Sequence, residues 1–73
     1  MIIDEGFSDA YREHGWHVYK RCLGILKNEA EARDACQDVF VRLLEDWPSI
    51  RDSHSITRWT FRVATNLCID RLR

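Results

Sequence analysis

The last nineteen residues, Ser55 to Arg73, constrain the fold of this chain most, because they place arginines and apolar residues on opposite faces of one helix. At about 100° per residue, Arg58, Arg62, Thr65, Asn66, Ile69 and Arg73 fall in one arc. Ile56, Val63, Ala64, Leu67 and Cys68 occupy the other side. A helix of this kind packs by one face and leaves a cationic face in water. Trp59 borders the arginine strip on one flank and Phe61 on the other, so guanidinium groups for phosphate stand beside rings for unstacked bases.

Two further stretches have the same helical period. From about Phe7 to Leu26, the residues Phe7, Tyr11, Val18, Cys22 and Ile25 line up against Asp9, Glu13, His17, Lys20 and Arg21. Ser8 is placed to cap this helix, Gly15 weakens it by roughly 1 kcal/mol relative to Ala, and Lys27-Asn28 ends it. The connection is short, so the next helix is expected to return antiparallel. From Glu29 to about Trp47 the buried stripe is expected to be Ala32, Cys36, Val39, Phe40, Leu43 and Trp47, with Leu44 at its edge. Asn28 and Glu31 form a candidate capping pair at its start, and Pro48 is expected to end it. Glu31, Asp34, Asp38, Val41, Arg42 and Glu45 make its outer face. Residues 48–54 have turn composition and no period, which predicts a loop. No stretch alternates with period two, so the fold class is all-α, a compact three-helix domain over residues 1–73 with helices about 7–26, 29–47 and 55–73.

Seventy-three residues leave room for one domain. A composition 45% hydrophobic and 32% charged fits a soluble globular chain, and no apolar run reaches the length of a membrane span. The start Met-Ile-Ile-Asp-Glu has no basic leader followed by a long apolar stretch, so a cytoplasmic protein is expected. Cys22, Cys36 and Cys68 are odd in number and widely spaced, which argues against a disulfide framework or a zinc motif; small buried apolar residues are the expected role. His14 and His17 beside Glu13 share a helix face, where surface histidines are the better reading than a metal site. No cofactor is expected. Nothing has the spacing of a nucleophile with its base or of a glycine-rich phosphate loop, so the chain reads as a non-enzyme.

The formal net charge of -1 conceals a segregation along the chain. Residues 1–27, 28–47 and 48–73 sum to 0, -4 and +3. One acidic and one basic surface are therefore expected, and they would select different partners.

The stretches Glu31-Ala-Arg-Asp-Ala-Cys-Gln-Asp-Val-Phe-Val-Arg-Leu-Leu44 and Ser55 to Arg73 resemble two motifs of one family, in the right order and with the right gap. That family is region 2 of bacterial RNA polymerase sigma factors, in the extracytoplasmic-function (ECF) subfamily of the sigma-70 family. The first stretch resembles its acidic helix, commonly D-A-E-D-L-V-Q-E-V-F-L-R-L-W, and the second its S-F-R-A-W-L-Y-R-I-A-R-N-L-A-L-D-R-L-R pattern. The resemblance implies that Asp34, Gln37, Asp38 and Arg42 face the clamp helices of the polymerase β′ subunit. It implies that the basic helix and the loop before it recognise and melt the promoter minus-ten element, capturing a base of the non-template strand. Ile50, Arg51, Asp52, Ser53, His54 and Asn66 would form the base pocket, Arg58, Arg62 and Arg73 would hold the backbone, and Trp59 would stand at the melting point.

Four positions depart from the pattern. Ile50 stands where many relatives carry an aromatic residue, Asp52 replaces a frequent small residue, and Ala35 and Thr60 each replace a usual leucine. Family members normally continue into a second helical domain that reads the minus-thirty-five element; this chain stops at Arg73, and an isolated region 2 would bind promoter DNA weakly without that second anchor. A second reading is a sigma-like interaction module that binds polymerase or an anti-sigma factor without opening DNA. A helix-turn-helix fragment fits less well, because the loop is long for a tight turn. For each face the plain alternative is a solvated helix surface.

Overall fold

A computed structural model describes residues 4–51 and 55–73. Among these residues the chain is helical throughout, with no strand: α1 (Glu5–Leu26), α2 (Glu29–Glu45), a single turn α3 (Trp47–Ile50) and α4 (Ile56–Leu72). The all-α class follows from the helical period of all three long segments, which leaves each with one apolar stripe to bury.

The helix ends follow from local chemistry. Asp4 caps α1, its Oδ1 accepting from the Gly6 N–H at 2.7 Å, so the helix begins ahead of Phe7. Ser8, the expected cap, lies inside the helix, and its N–H donates to the Asp4 carbonyl. At the other end Lys27 adopts the left-handed conformation itself, φ 55, and its N–H donates to the Leu23 carbonyl at 2.8 Å. A non-glycine residue carries about 1 kcal/mol of strain there. Asn28 caps α2 as expected, its Oδ1 accepting from the Glu31 N–H at 2.9 Å.

α2 stops at Glu45, earlier than Trp47, and Pro48 does not simply terminate it. Pro48 lies in the first turn of α3, where its missing N–H leaves no bond unmade. This extra turn swings Trp47 and Ile50 into the core, at 6% and 8% exposure. Trp47 packs edge-on against Phe7, ring centroids 5.7 Å apart at 86°. The indole comes so close to α1 that a Cβ on Gly6 would stand 3.1 Å from Trp47 Cζ2 and 2.9 Å from the capping Asp4 Oδ1. Gly6 is therefore the one glycine that the packing requires. The Trp47 Nε1 is buried without a hydrogen-bond partner among the described residues.

α1 packs on both α2 and α4, these two also touch, and α3 lies against α2. Where the helices meet, Ala32, Ala35 and Ala64 are fully buried; around them Cys22, Val39, Leu43 and Cys68 fill the centre. Ala35 thus stands at a close helix contact, where a small side chain lets the backbones approach. Thr60 is also buried, and its hydroxyl is satisfied within the helix by donation to the Ile56 carbonyl at 2.9 Å. Burial, with a hydrogen bond to Cys68 and the neighbouring thiols adding to it, pushes the Cys22 thiol up to about 12. Cys36 is only half-buried, at the rim, its Sγ 3.7 Å from the Gly15 carbonyl oxygen, and burial raises its pKa too.

Two expected core positions of α1 shift. Tyr11 is 49% exposed and lies over Phe40, centroids 4.8 Å apart, while Ala10 takes the buried place. Ile25 is half-buried and Leu26 buried instead. In each case the buried stripe of α1 is one residue away from the expected one, because α1 must face two helices at once.

Candidate interaction faces

The exposed side of α4 carries Arg58, Arg62 and Asn66, with Thr65 half-buried at its edge and Arg73 exposed just past the end of the helix. The opposite side buries Thr60, Ala64, Leu67 and Cys68, with Ile56 and Val63 packed partly against them. The face and its phase are those expected from the sequence. No carboxylate pairs with Arg58 or Arg62 among the described residues, whereas Arg73 stands 4.0 Å from Asp70. Trp59 is half-buried and packs partly against the core.

On the far flank the cationic strip continues onto α1, which the sequence reading did not include. The Arg21 guanidinium lies 4.5 Å over the Phe61 ring, and its Nε donates to Thr65 Oγ1 at 3.1 Å. Phe61 remains 53% exposed, so one ring face is backed by a cation and much of the ring is open. A hollow of about 390 Å³ lies at the start of α4 between Ser55, Thr57, Arg58 and Phe61. A signal for this was present: Arg21 falls on the polar side of α1, and a helix packed against α4 must set some of its flank beside the arginine strip.

The loop expected to form the base pocket divides three ways. Ile50 belongs to the core, at 8% exposure in α3, so its side chain is not displayed for a base; the α3 turn, invisible to periodicity, directs it inward. Arg51 is exposed, with Nη1 3.9 Å from Asp4 Oδ2. Asp52, Ser53 and His54 lie outside the described residues.

The outer side of α2 presents Asp34, Gln37, Asp38 and Arg42, all exposed. Asp34 and Asp38 do not stand alone. A single nitrogen of Arg71 in α4, Nη2, donates to Asp34 Oδ2 at 2.8 Å and to Asp38 Oδ2 at 2.7 Å. The bond to Asp34, with that to Asp38, raises the pKa of this guanidinium further. Arg71 was not singled out in the sequence. Its signal is its phase: it follows Leu67 by one turn and Ala64 by two, so a charge there demands an acidic partner on the neighbouring helix. Among the described residues no group of three histidine, cysteine or acidic side chains is arranged to hold a metal ion. None of their helices is long and apolar enough to cross a membrane.

Residues 10–73 match the family Sigma-70 region 2. The ECF RNA polymerase sigma factor SigW of Bacillus subtilis is 33% identical over 69 residues, which are 94% of this chain and 37% of that protein. The ECF RNA polymerase sigma factor SigM of Mycobacterium tuberculosis is 27% identical over 67 residues, 92% of this chain and 34% of that protein. The chain spans about a third of the length of these curated relatives. No solved structure matches it significantly. With both the acidic and the basic helix inside the matched span, the chain belongs to the ECF group of the sigma-70 family and is a region 2 domain.

Proposed function

We propose that this domain acts in transcription initiation, binding the β′ clamp helices of RNA polymerase through α2 and the minus-ten element through α4. The observation that carries the DNA reading is the exposed face of α4, where Arg58, Arg62 and Asn66 stand together beside the half-open Trp59. No bond of the DNA is broken covalently. Strand opening is driven because the protein binds the separated non-template strand better than the duplex, which shifts the equilibrium toward the open form. An extruded base costs a few kcal/mol to unpair, and stacking on a ring returns about 1–3 kcal/mol. Asn66 suits base recognition because its amide both donates and accepts. Arg58, Arg62 and Arg73 suit phosphates. Arg51 and the residues Asp52, Ser53 and His54 remain assigned to the base-capturing loop, and Ile50 becomes its internal support.

Such a domain works in the cytoplasm with polymerase core and promoter DNA as partners, and an anti-sigma factor that covers either face is compatible with it. The reading without melting activity draws support from one observation: Ile50 is packed inside, at 8% exposure.

Fluorescence anisotropy of a labelled non-template strand separates the two. Three phosphate contacts predict a log–log salt slope of about -2, or roughly a 20-fold loss of affinity between 50 and 200 mM salt. Arg62→Ala is expected to reduce the slope by about 0.7. Asn66→Ala is expected to weaken binding by about 1–3 kcal/mol with the slope unchanged. If neither substitution matters, α4 is not a single-strand reader.

A further inference from the structure

Arg71 lies in the packed phase of α4 and reaches α2 across the seam between the helix assigned to DNA and the helix assigned to polymerase. Its side chain is 28% exposed, against 66% for Asp34 and 51% for Asp38. The cation is therefore the sheltered member of the cluster and the carboxylates the open ones. Each carboxylate accepts from Arg71 at its Oδ2, and its Oδ1 accepts no protein donor among the described residues.

Two aspartates one turn apart repel each other, and without a common partner each would sample its own rotamers. A guanidinium bonded to both removes that freedom before any partner arrives. It also leaves the cluster with one net negative charge, so a single incoming cation completes neutrality. Lost side-chain freedom opposes binding, and a contact fixed in advance avoids that loss.

We propose that Arg71 is a positioning residue for the polymerase contact: it aligns Asp34 and Asp38 into a two-pronged acceptor for one cationic side chain of the partner. A guanidinium suits best, since its planar fork reaches two carboxylates at once where an ammonium acts as a point charge. The cluster then alternates, with two carboxylates between two guanidiniums. This assignment rests on α2 being the polymerase-facing helix.

Calorimetric titration of the whole chain with a fragment of the β′ clamp helices tests it. Arg71→Ala is expected to weaken binding about tenfold, the equivalent of ordering two side chains. Arg71→Lys is expected to fall between, and it decides the matter should the alanine variant lose helix by circular dichroism. In an Asp34→Asn, Asp38→Asn background, Arg71→Ala should have no further effect on binding, because the groups it positions are gone. An equal effect in that background would mean that Arg71 acts only by supporting the fold, and would overturn the proposal. Binding abolished by Asp38→Arg yet untouched by Arg71→Ala would overturn the positioning role alone. No binding by the unsubstituted chain would overturn the polymerase reading with it.

Discussion

Alkaline unfolding of this domain should be led by one buried thiol. Cys22 is fully buried, and desolvation first, then its bond to Cys68 and the nearby thiols, raises its pKa from the ordinary 9.0 to about 12. A raised folded-state value means that the native protein holds the proton more tightly than the unfolded chain. Below pH 9 both states keep it and stability is intact. Between pH 9 and 12 the unfolded chain ionises alone, so stability is lost as pH rises. Linkage gives a loss of about 1 kcal/mol at pH 10 and roughly 3 kcal/mol at pH 11. A domain of this size has only about 4–11 kcal/mol in total. Urea unfolding followed at 222 nm in reducing buffer, from pH 8 to 11, measures the loss. Cys22→Ala provides the comparison, since the two proteins differ only in this thiol. The variant should be less stable near neutrality, by about 1 kcal/mol, but should lose about 1 kcal/mol less than the parent on going to pH 10. Identical pH slopes in the two proteins would refute the reasoning.

Two stability measurements check the packing. Gly15→Ala should stabilise by about 0.5–1 kcal/mol, raising Tm by a few degrees, because a Cβ there meets nothing within 4 Å. Gly6→Ala should be destabilising despite the same gain in helix propensity, since its Cβ meets the Trp47 indole at 3.1 Å; equal midpoints for the two variants in a thermal melt would contradict this. Leu43→Ala, at a fully buried site, should cost about 2–5 kcal/mol in urea denaturation. A loss under 1 kcal/mol would mean that the centre of the three-helix packing is looser than described.

The interaction faces were unequally legible in the sequence. For α4 the arginines and the apolar residues are separated widely enough that helical phase alone assigned each side, and the structure keeps that division. Asn28 could be named as a cap because capping is a bond between residues three apart. On α1 the same reasoning chose Tyr11 over Ala10, because an amphipathic pattern defines a broad arc and only the neighbours on both flanks decide which edge closes. Ile50 was misplaced for a different reason: one helical turn is too short to have a period, and Pro48 fits both a stop and a first turn.

The sequence by itself determined the helical class, the two charged surfaces and the family motifs, since each depends on residues within a few turns of one another. Tertiary structure decided what those surfaces are made of. Arg71 meets Asp34 and Asp38 across 37 and 33 residues of chain, and Arg21 meets Thr65 across 44. Pairings at that separation depend on the rotation and height of one helix against another. Close packing around Ala32, Ala35 and Ala64 sets both, and a single helix carries no record of them.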